Sequence, residues 1–192
     1  ALNLRKLHGP GDRVPVDEMV TLDCWILARA ADLQQELRAA YDRYEFHVIY
    51  QKVHNFCAVD MGSFYLDVIK DRQYTCQANG RPRRSTQTAM YHIVEAMVRW
   101  IAPILSFTAD EIYGYIPGQR MESVLLETWY ALPETHARLK AEGLDLAFWG
   151  ALLRIREAVA PELERLRVGG AIGSSLDAEL DLYVNDPLRT CL

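Results

Sequence analysis

Apolar residues recur at helical spacing along most of the chain. Leu22, Ile26, Leu33 and Leu37 line one side of a stretch that starts near Asp17 or Leu22 and ends at Tyr41, with Trp25, Ala30 and Ala40 filling the same side. That spacing predicts an amphipathic helix. From about Glu45 to Tyr74 two further stripes follow: Phe46, Ile49, Val53, Phe56 and Cys57, then Met61, Phe64, Tyr65, Val68 and Ile69. Asp60 and Gly62 interrupt the pattern and mark where one long helix would break in two. Asn79-Gly80-Arg81-Pro82 reads as a turn, because Gly accepts positive φ and Pro prevents the preceding helix from running on. Pro82 suits the first turn of the next helix, where its missing N–H is no loss. That helix carries Ala89, Ile93, Ala96, Met97, Trp100 and Ile101 and ends at Pro103.

Ser106 or Thr108, with Asp110 and Glu111 close behind, starts a short helix closed by Tyr115-Ile116-Pro117-Gly118. The pattern from Gln119 to Gly143 is irregular, with a short strand expected at Val124–Leu126. Helical spacing returns from about Asp145 to Arg167, with Phe148, Leu152, Ile155, Val159, Leu163 and Leu166 inward. Pro161 should kink or restart that helix, and Gly169-Gly170 should end it. Leu176, Ala178, Leu180, Leu182 and Val184 then alternate with Asp177, Glu179, Asp181 and Tyr183, the period of a half-buried strand. A lone strand cannot pair its own backbone, so this one reads as the first piece of a truncated β element. The expected fold is mainly α. Residues 1–16 form a lead-in loop, 17–142 a helical bundle, and 143–192 a helix plus the first strand of a truncated C-terminal extension.

Composition narrows the function. Of 192 residues, 50% are apolar and 24% charged, a globular balance, and the net charge of −5 argues against a general nucleic-acid coat, DNA included, or an anionic-membrane binder. No apolar run is long enough to span a bilayer and the first residues do not read as a secretion signal, which points to the cytoplasm. Cys24, Cys57, Cys76 and Cys191 form no C-x-x-C pair, so no metal or redox site is expected. The histidines do not converge, and GGAIGSS at 169–175 lacks the Lys and the preceding strand of a phosphate loop. No constellation supports nucleophilic, acid–base or metal chemistry, and no catalytic residue is expected.

One local departure stands out. Lys70, Arg72, Arg81, Arg83 and Arg84 face a single acid, Asp71, giving +5 − 1 = +4 within residues 70–84 of a chain whose total is −5. Tyr74 is interleaved with them. Lys and Arg fix phosphates, and Tyr and Arg planes stack on unpaired bases. The bland alternative is a solvated turn, or one that docks an acidic protein surface.

Three strings then carry a resemblance: HNFCAVDMGSFYLDVIKDRQYT at 54–75, RRSTQTAMYHIVEAMVRWIAPILSFTADEIYGYIPG at 83–118, and ETWY at 127–130. In order and spacing they resemble the C-terminal helical region of bacterial-type isoleucyl-tRNA synthetases, class I aminoacyl-tRNA synthetases. The likeness extends back through VDEMVTLDCWILARA, and more weakly forward through FWGALLRIREAV and GSSLDAELDLYV. Valyl- and leucyl-tRNA synthetases share the architecture but resemble these strings less. The resemblance implies an excised anticodon-binding bundle that holds isoleucine tRNA by its anticodon arm, without catalytic or editing sites of its own. It implies a parent that attaches isoleucine to tRNA using ATP with magnesium, with any zinc site beyond residue 192, and partners in the catalytic and editing domains of the same polypeptide. The candidate tRNA-binding residues are Lys70, Arg72, Tyr74, Arg81, Arg83 and Arg84. A helical protein-interaction scaffold and a small all-α enzyme are the competing classes.

Overall fold

The structure, a computed structural model, describes residues 13–174 and 177–183. The chain divides into two compact units, 1–139 and 140–192, and each is described by itself.

Helix α1 (Thr21–Asp42) is the axis of the first unit. Its expected stripe is buried, from Leu22 to Ala40, and so are Cys24, Leu27 and Ala28 on its other sides. A helix apolar on several sides must be covered on several sides. α2 (Phe46–Asn55) packs on one and α5 (Arg81–Ile101) on another. The α1–α2 turn closes with Glu45 N–H donating to Ala40 O at 2.9 Å and Tyr44 N–H to Tyr41 O at 3.0 Å. This is a Schellman closure, and Tyr44 takes the left-handed position at φ 56° where glycine is the common occupant.

The expected break at Asp60 and Gly62 is not a break. α2 passes into a π-helical segment (Phe56–Tyr65), then into α3 (Leu66–Val68) and α4 (Lys70–Thr75). Widening the turn keeps Phe56, Met61, Phe64, Tyr65 and Ile69 in the core while absorbing residues that an α turn would place elsewhere. Glycine fits at 62 because a Cβ there would lie 3.0 Å from the Cys57 carbonyl oxygen. Asp60, the polar interruption, is tied to α1 by Arg29 at 3.1 Å.

A polar clasp joins α1, α5 and the segment after α6 (Ser106–Tyr115). Trp100, fully buried, donates its indole N–H to Gln34 Oε1 at 2.8 Å. Gln34 Nε2 donates to the Tyr130 carbonyl at 2.8 Å, and Tyr41 Oη donates to the Trp100 carbonyl at 2.6 Å.

The strand expected at Val124–Leu126 is a turn of 3₁₀ helix. Its amides are met by side chains rather than by a neighbouring strand: Asp110 Oδ1 accepts from Val124 N–H at 2.9 Å and from Ser123 Oγ at 2.7 Å, and Ser123 Oγ accepts from Leu125 N–H at 3.2 Å. A short helix, α7 (His136–Ala141), lies in the stretch expected to be irregular. It is tethered from its start, where Thr135 Oγ1 donates to Cys24 O at 2.9 Å and His136 sits between Asp32 at 2.9 Å and Glu134 at 3.0 Å.

In the second unit, α8 (Leu146–Val168) starts at Asp145, whose carboxylate accepts from the Ala147 and Phe148 amides at 3.0 Å. α8 is not restarted at Pro161. That residue is exposed, so the carbonyl whose partner it removes can be met by water. Gly170, at φ 72°, ends the helix. No strand forms among the described residues 177–183. The Asp177 carboxylate is turned back onto the Ser174 amide at 2.8 Å, and Leu180, Leu182 and Tyr183 are exposed. Alternation is present there, but no described backbone pairs with it. Leu176 and Val184 of the expected strand lie outside the described residues. No helix of the described residues is long and apolar enough to cross a membrane.

The clasp gives a stability prediction. Trp100→Ala should cost about 3–5 kcal/mol through the cavity it leaves. Trp100→Phe keeps most of the packing but strands the buried Gln34 oxygen, a cost of about 1–3 kcal/mol. Urea denaturation of both variants measures the two terms.

Candidate nucleic-acid interface

The basic stretch of the sequence folds into the α4–α5 hairpin, and the hairpin is held down by one carboxylate. Asp23, in the first turn of α1, is fully buried. It accepts from Tyr65 Oη at 2.7 Å, from Ser85 Oγ at 2.5 Å and from Thr86 Oγ1 at 3.4 Å, with Arg72 Nη1 3.6 Å away. Ser85 Oγ in turn accepts from Val20 N–H at 2.8 Å. Burial drives the Asp23 pKa upward against these donors and the arginine. Tyr65, also buried and beside that carboxylate, is raised well above the ordinary tyrosine value. The hydroxyl groups and the arginine come from the π segment, α4 and α5, so a single acid fixes all three to α1.

Around this anchor the candidate residues separate by role. Arg72 is largely committed inward; its side chain is 23% exposed. Lys70 is exposed and paired with Asp67 at 2.8 Å. Tyr74 is 80% exposed. Arg81 is exposed, and its Nε donates to the Glu18 carbonyl at 2.5 Å. Arg83, half-buried, donates to the Cys76 carbonyl at 3.2 Å and so closes the hairpin, and Arg84 beside it is half-buried.

Three of these arginines, 81, 83 and 84, fall in the first turn of α5, which contains no acid. A helix N-terminus carries the positive end of the backbone dipole and unpaired N–H groups, so cations there are disfavoured by a few tenths of a kcal/mol up to about 1 kcal/mol each. The same arrangement is favourable for an anion, which meets the arginines and the helix end together.

A second charged cluster lies further along α5 and is structural. Glu95, buried, receives Arg99 at 2.7 Å and Arg120 at 2.5 Å. Arg99 also reaches Glu127 at 3.1 Å, and Glu127 accepts from Tyr113 Oη. Burial pulls the Glu95 pKa up, but hydrogen bonds from Arg120, Tyr91 and Arg99 outweigh it and hold the carboxyl at about 2. Nearby His92, 2.7 Å from Tyr130 Oη, is lowered to about 4 by burial and then by Arg13. Sequence reasoning missed this cluster. Glu95 and Arg99 stand at the i,i+4 spacing of a helical ion pair, the one signal the sequence offered; Tyr91, Arg120, Glu127 and Tyr130 are brought to them only by the fold. No group of three or more His, Cys, Asp or Glu able to hold a metal occurs among the described residues.

With this geometry in view, the comparisons with known proteins are specific. Residues 23–182 match the family described as the anticodon-binding domain of tRNA ligase, and the chain belongs to that family. It is also similar to proteins named isoleucine–tRNA ligase: 59% identical over 187 residues to that of Nitrosococcus oceani, 57% over 179 residues to that of Methylococcus capsulatus, and 55% over 188 residues to that of Halorhodospira halophila. These matches cover 97%, 91% and 96% of this chain but only 19%, 18% and 20% of the relatives, so the chain spans about a fifth of their length. The mainly α fold is the one the resemblance implies.

The Glu95 cluster yields a pH prediction. A carboxyl held near 2 when folded, against 4.5 otherwise, stabilises the fold above pH 4.5, and this contribution is lost as pH falls toward 2. Glu95→Gln removes that dependence. The melting-temperature gap between wild type and variant should therefore be largest above pH 4.5 and shrink steadily toward pH 2. Asp23, shifted the other way, is common to both proteins and cancels in the difference.

Proposed function

We propose that this chain is the anticodon-binding unit of an isoleucine–tRNA ligase and that it grips the anticodon arm of isoleucine tRNA at the α4–α5 hairpin. The observation that carries the reading is the acid-free first turn of α5, where Arg81, Arg83 and Arg84 add to the positive helix end. Arg81 and Arg83 each give one donor to a backbone carbonyl, of Glu18 and of Cys76, and a phosphate backbone is a fitting partner for the positive charge they carry. Lys70 adds an exposed cation at the start of α4, and Tyr74 offers an exposed ring for an unpaired base. Arg72 acts from behind, by holding α4 onto the Asp23 anchor.

The work of such a unit is placement. Holding the anticodon arm fixes where the acceptor end of the tRNA falls, and bond making belongs to parts of the ligase outside these residues. ATP and magnesium would act there, in the cytoplasm, with the catalytic and editing domains as covalent partners. The competing readings are less well supported. A protein-interaction scaffold and a small all-α enzyme both explain the family match poorly.

The triple variant Arg81→Ala, Arg83→Ala, Arg84→Ala should bind isoleucine tRNA more weakly, with the slope of log affinity against log salt reduced by nearly one unit for each lost phosphate contact. Its stability should change by no more than about 0.5 kcal/mol at each surface site, with Arg83, which bonds the Cys76 carbonyl, the largest contributor to any loss. Filter binding at several salt concentrations and a melting curve on the same samples measure both. Unchanged affinity and slope would remove the arginines from the interface.

Tyr74→Ala should instead cost about 1–3 kcal/mol of tRNA affinity with little change in salt slope, as a lost stacking platform does. A loss of melting temperature at unchanged affinity would show a packing role, which 80% exposure argues against.

A further inference from the structure

The run Ser85-Thr86-Gln87-Thr88 sets four polar residues in a row into α5, and all four are buried, none more than 2% exposed. Buried polar groups in folded proteins nearly always have hydrogen-bond partners. Three of the four residues do. Ser85 and Thr86 donate to Asp23, and Ser85 Oγ accepts from Val20 N–H. Thr88 Oγ1 accepts from Val14 N–H at 3.0 Å and donates to the Arg84 carbonyl at 2.9 Å. Gln87 is the exception: its Oε1 is buried and has no partner among the described residues.

Two more groups of the hairpin share that condition, Gln73 Nε2 and Arg83 Nε. Gln73 is 8% exposed, so its amide, like that of Gln87, is turned away from bulk water. The fold brings the three together. Arg83 and Gln87 are four residues apart on α5 and share a face. Arg83 Nη1 bonds the Cys76 carbonyl at 3.2 Å, so that face looks onto the end of α4. Residues 76–80 reverse the chain, and α4 packs on α5. Gln73 lies one turn before Cys76, as Gln87 lies one turn beyond Arg83, so the two amides face each other. They form no bond to each other, which leaves more than one hydrogen-bond length between them. The other buried donor here, Arg72 Nη1, looks toward α1, with Asp23 at 3.6 Å.

Two donors and one acceptor define the occupant. An anion would accept from Gln73 and Arg83 but be repelled by the Gln87 oxygen. A cation would be repelled by the Arg83 guanidinium. Water satisfies all three, and about three hydrogen bonds is the number a buried water usually makes. We infer that a single buried water sits between α4 and α5, accepting from Gln73 Nε2 and Arg83 Nε and donating to Gln87 Oε1. With Nη1 on the Cys76 carbonyl and Nε on the water, the Arg83 guanidinium is pinned in one plane. The site needs only the packing of α4 on α5, so it stands apart from the tRNA reading.

A crystal structure of a ligase carrying this segment, without tRNA and at a resolution that places single waters, tests it. One water should lie within about 3.2 Å of all three atoms. Gln87→Met keeps the length of the side chain and removes the acceptor; it should lose that water while the bond from Arg83 to Cys76 remains. Gln73→Met should lose it too. The wild-type structure decides the water by itself, and the variants show which groups hold it. Three results would overturn the inference: a direct bond from Gln73 Nε2 to Gln87 Oε1 with no water, a water that persists in both variants, or a bromide peak at the site after a bromide soak, which gives it to an anion.

Discussion

Placing one carboxylate out of water, at the start of the central helix, is the constraint around which the first unit is organised. An uncompensated charge at Asp23 would cost several kcal/mol. The fold answers with three hydroxyl groups and an arginine drawn from three other elements. Each donor is useful only if its own element sits in the right place. Tyr65 must arrive from the π segment, Arg72 from α4, and Ser85 and Thr86 from the start of α5. Apolar burial makes the bundle compact, but apolar contacts are not directional. The directional demand of a single acid selects one arrangement of the hairpin from the several that burial alone would accept.

That coupling explains why the proposed contact residues stand on so rigid a platform. The hairpin bearing Lys70, Tyr74 and the three arginines is short, and α4 has only six residues, too few to be stable as an isolated helix. Its geometry is borrowed from Asp23 through Arg72 and from Cys76 through Arg83. A recognition surface held this way loses little order on binding, and ordering is among the larger costs of association. The Glu95 cluster serves the other half of α5 in the same manner, tying the irregular run from Arg120 to Tyr130 onto the helix by charge where apolar periodicity is absent.

The sequence made the long elements legible because burial leaves a periodic trace. The stripes of α1 and α5 are buried close to where the spacing puts them, whereas α8 forms over the expected range with its stripe only half-buried and Ala151 as its buried residue. The turn before α5 forms, closed by Gly80 N–H donating to Gln77 O, but Gly80 sits at φ −66°, so glycine's freedom to take positive φ is not what makes it. What was not legible depended on partners remote in sequence. Val124–Leu126 looks like a strand until Asp110 supplies its hydrogen bonds. α7 lacks an apolar stripe and is held by Cys24 and Asp32. Tyr44 ends α1 in a conformation usually marked by glycine. In the candidate site the charge excess was visible, but the split between inward Arg72 and outward Lys70 was not, because it turns on Asp23, some fifty positions away.

The π segment has a consequence for how this chain tolerates change in length. A π turn holds more residues than an α turn, so every side chain after Tyr65 points in a direction offset from the one an unbroken α-helix would give it. Tyr65 meets Asp23 and α4 meets α5 because that angular offset is built in. The segment thus stores a rotational phase, much as the tooth count of a gear does. Loss of one residue between Phe56 and Tyr65 would leave the helix intact, even better hydrogen-bonded, yet turn the hairpin away from its anchor. Length at this point, rather than residue identity, is what aims the arginines.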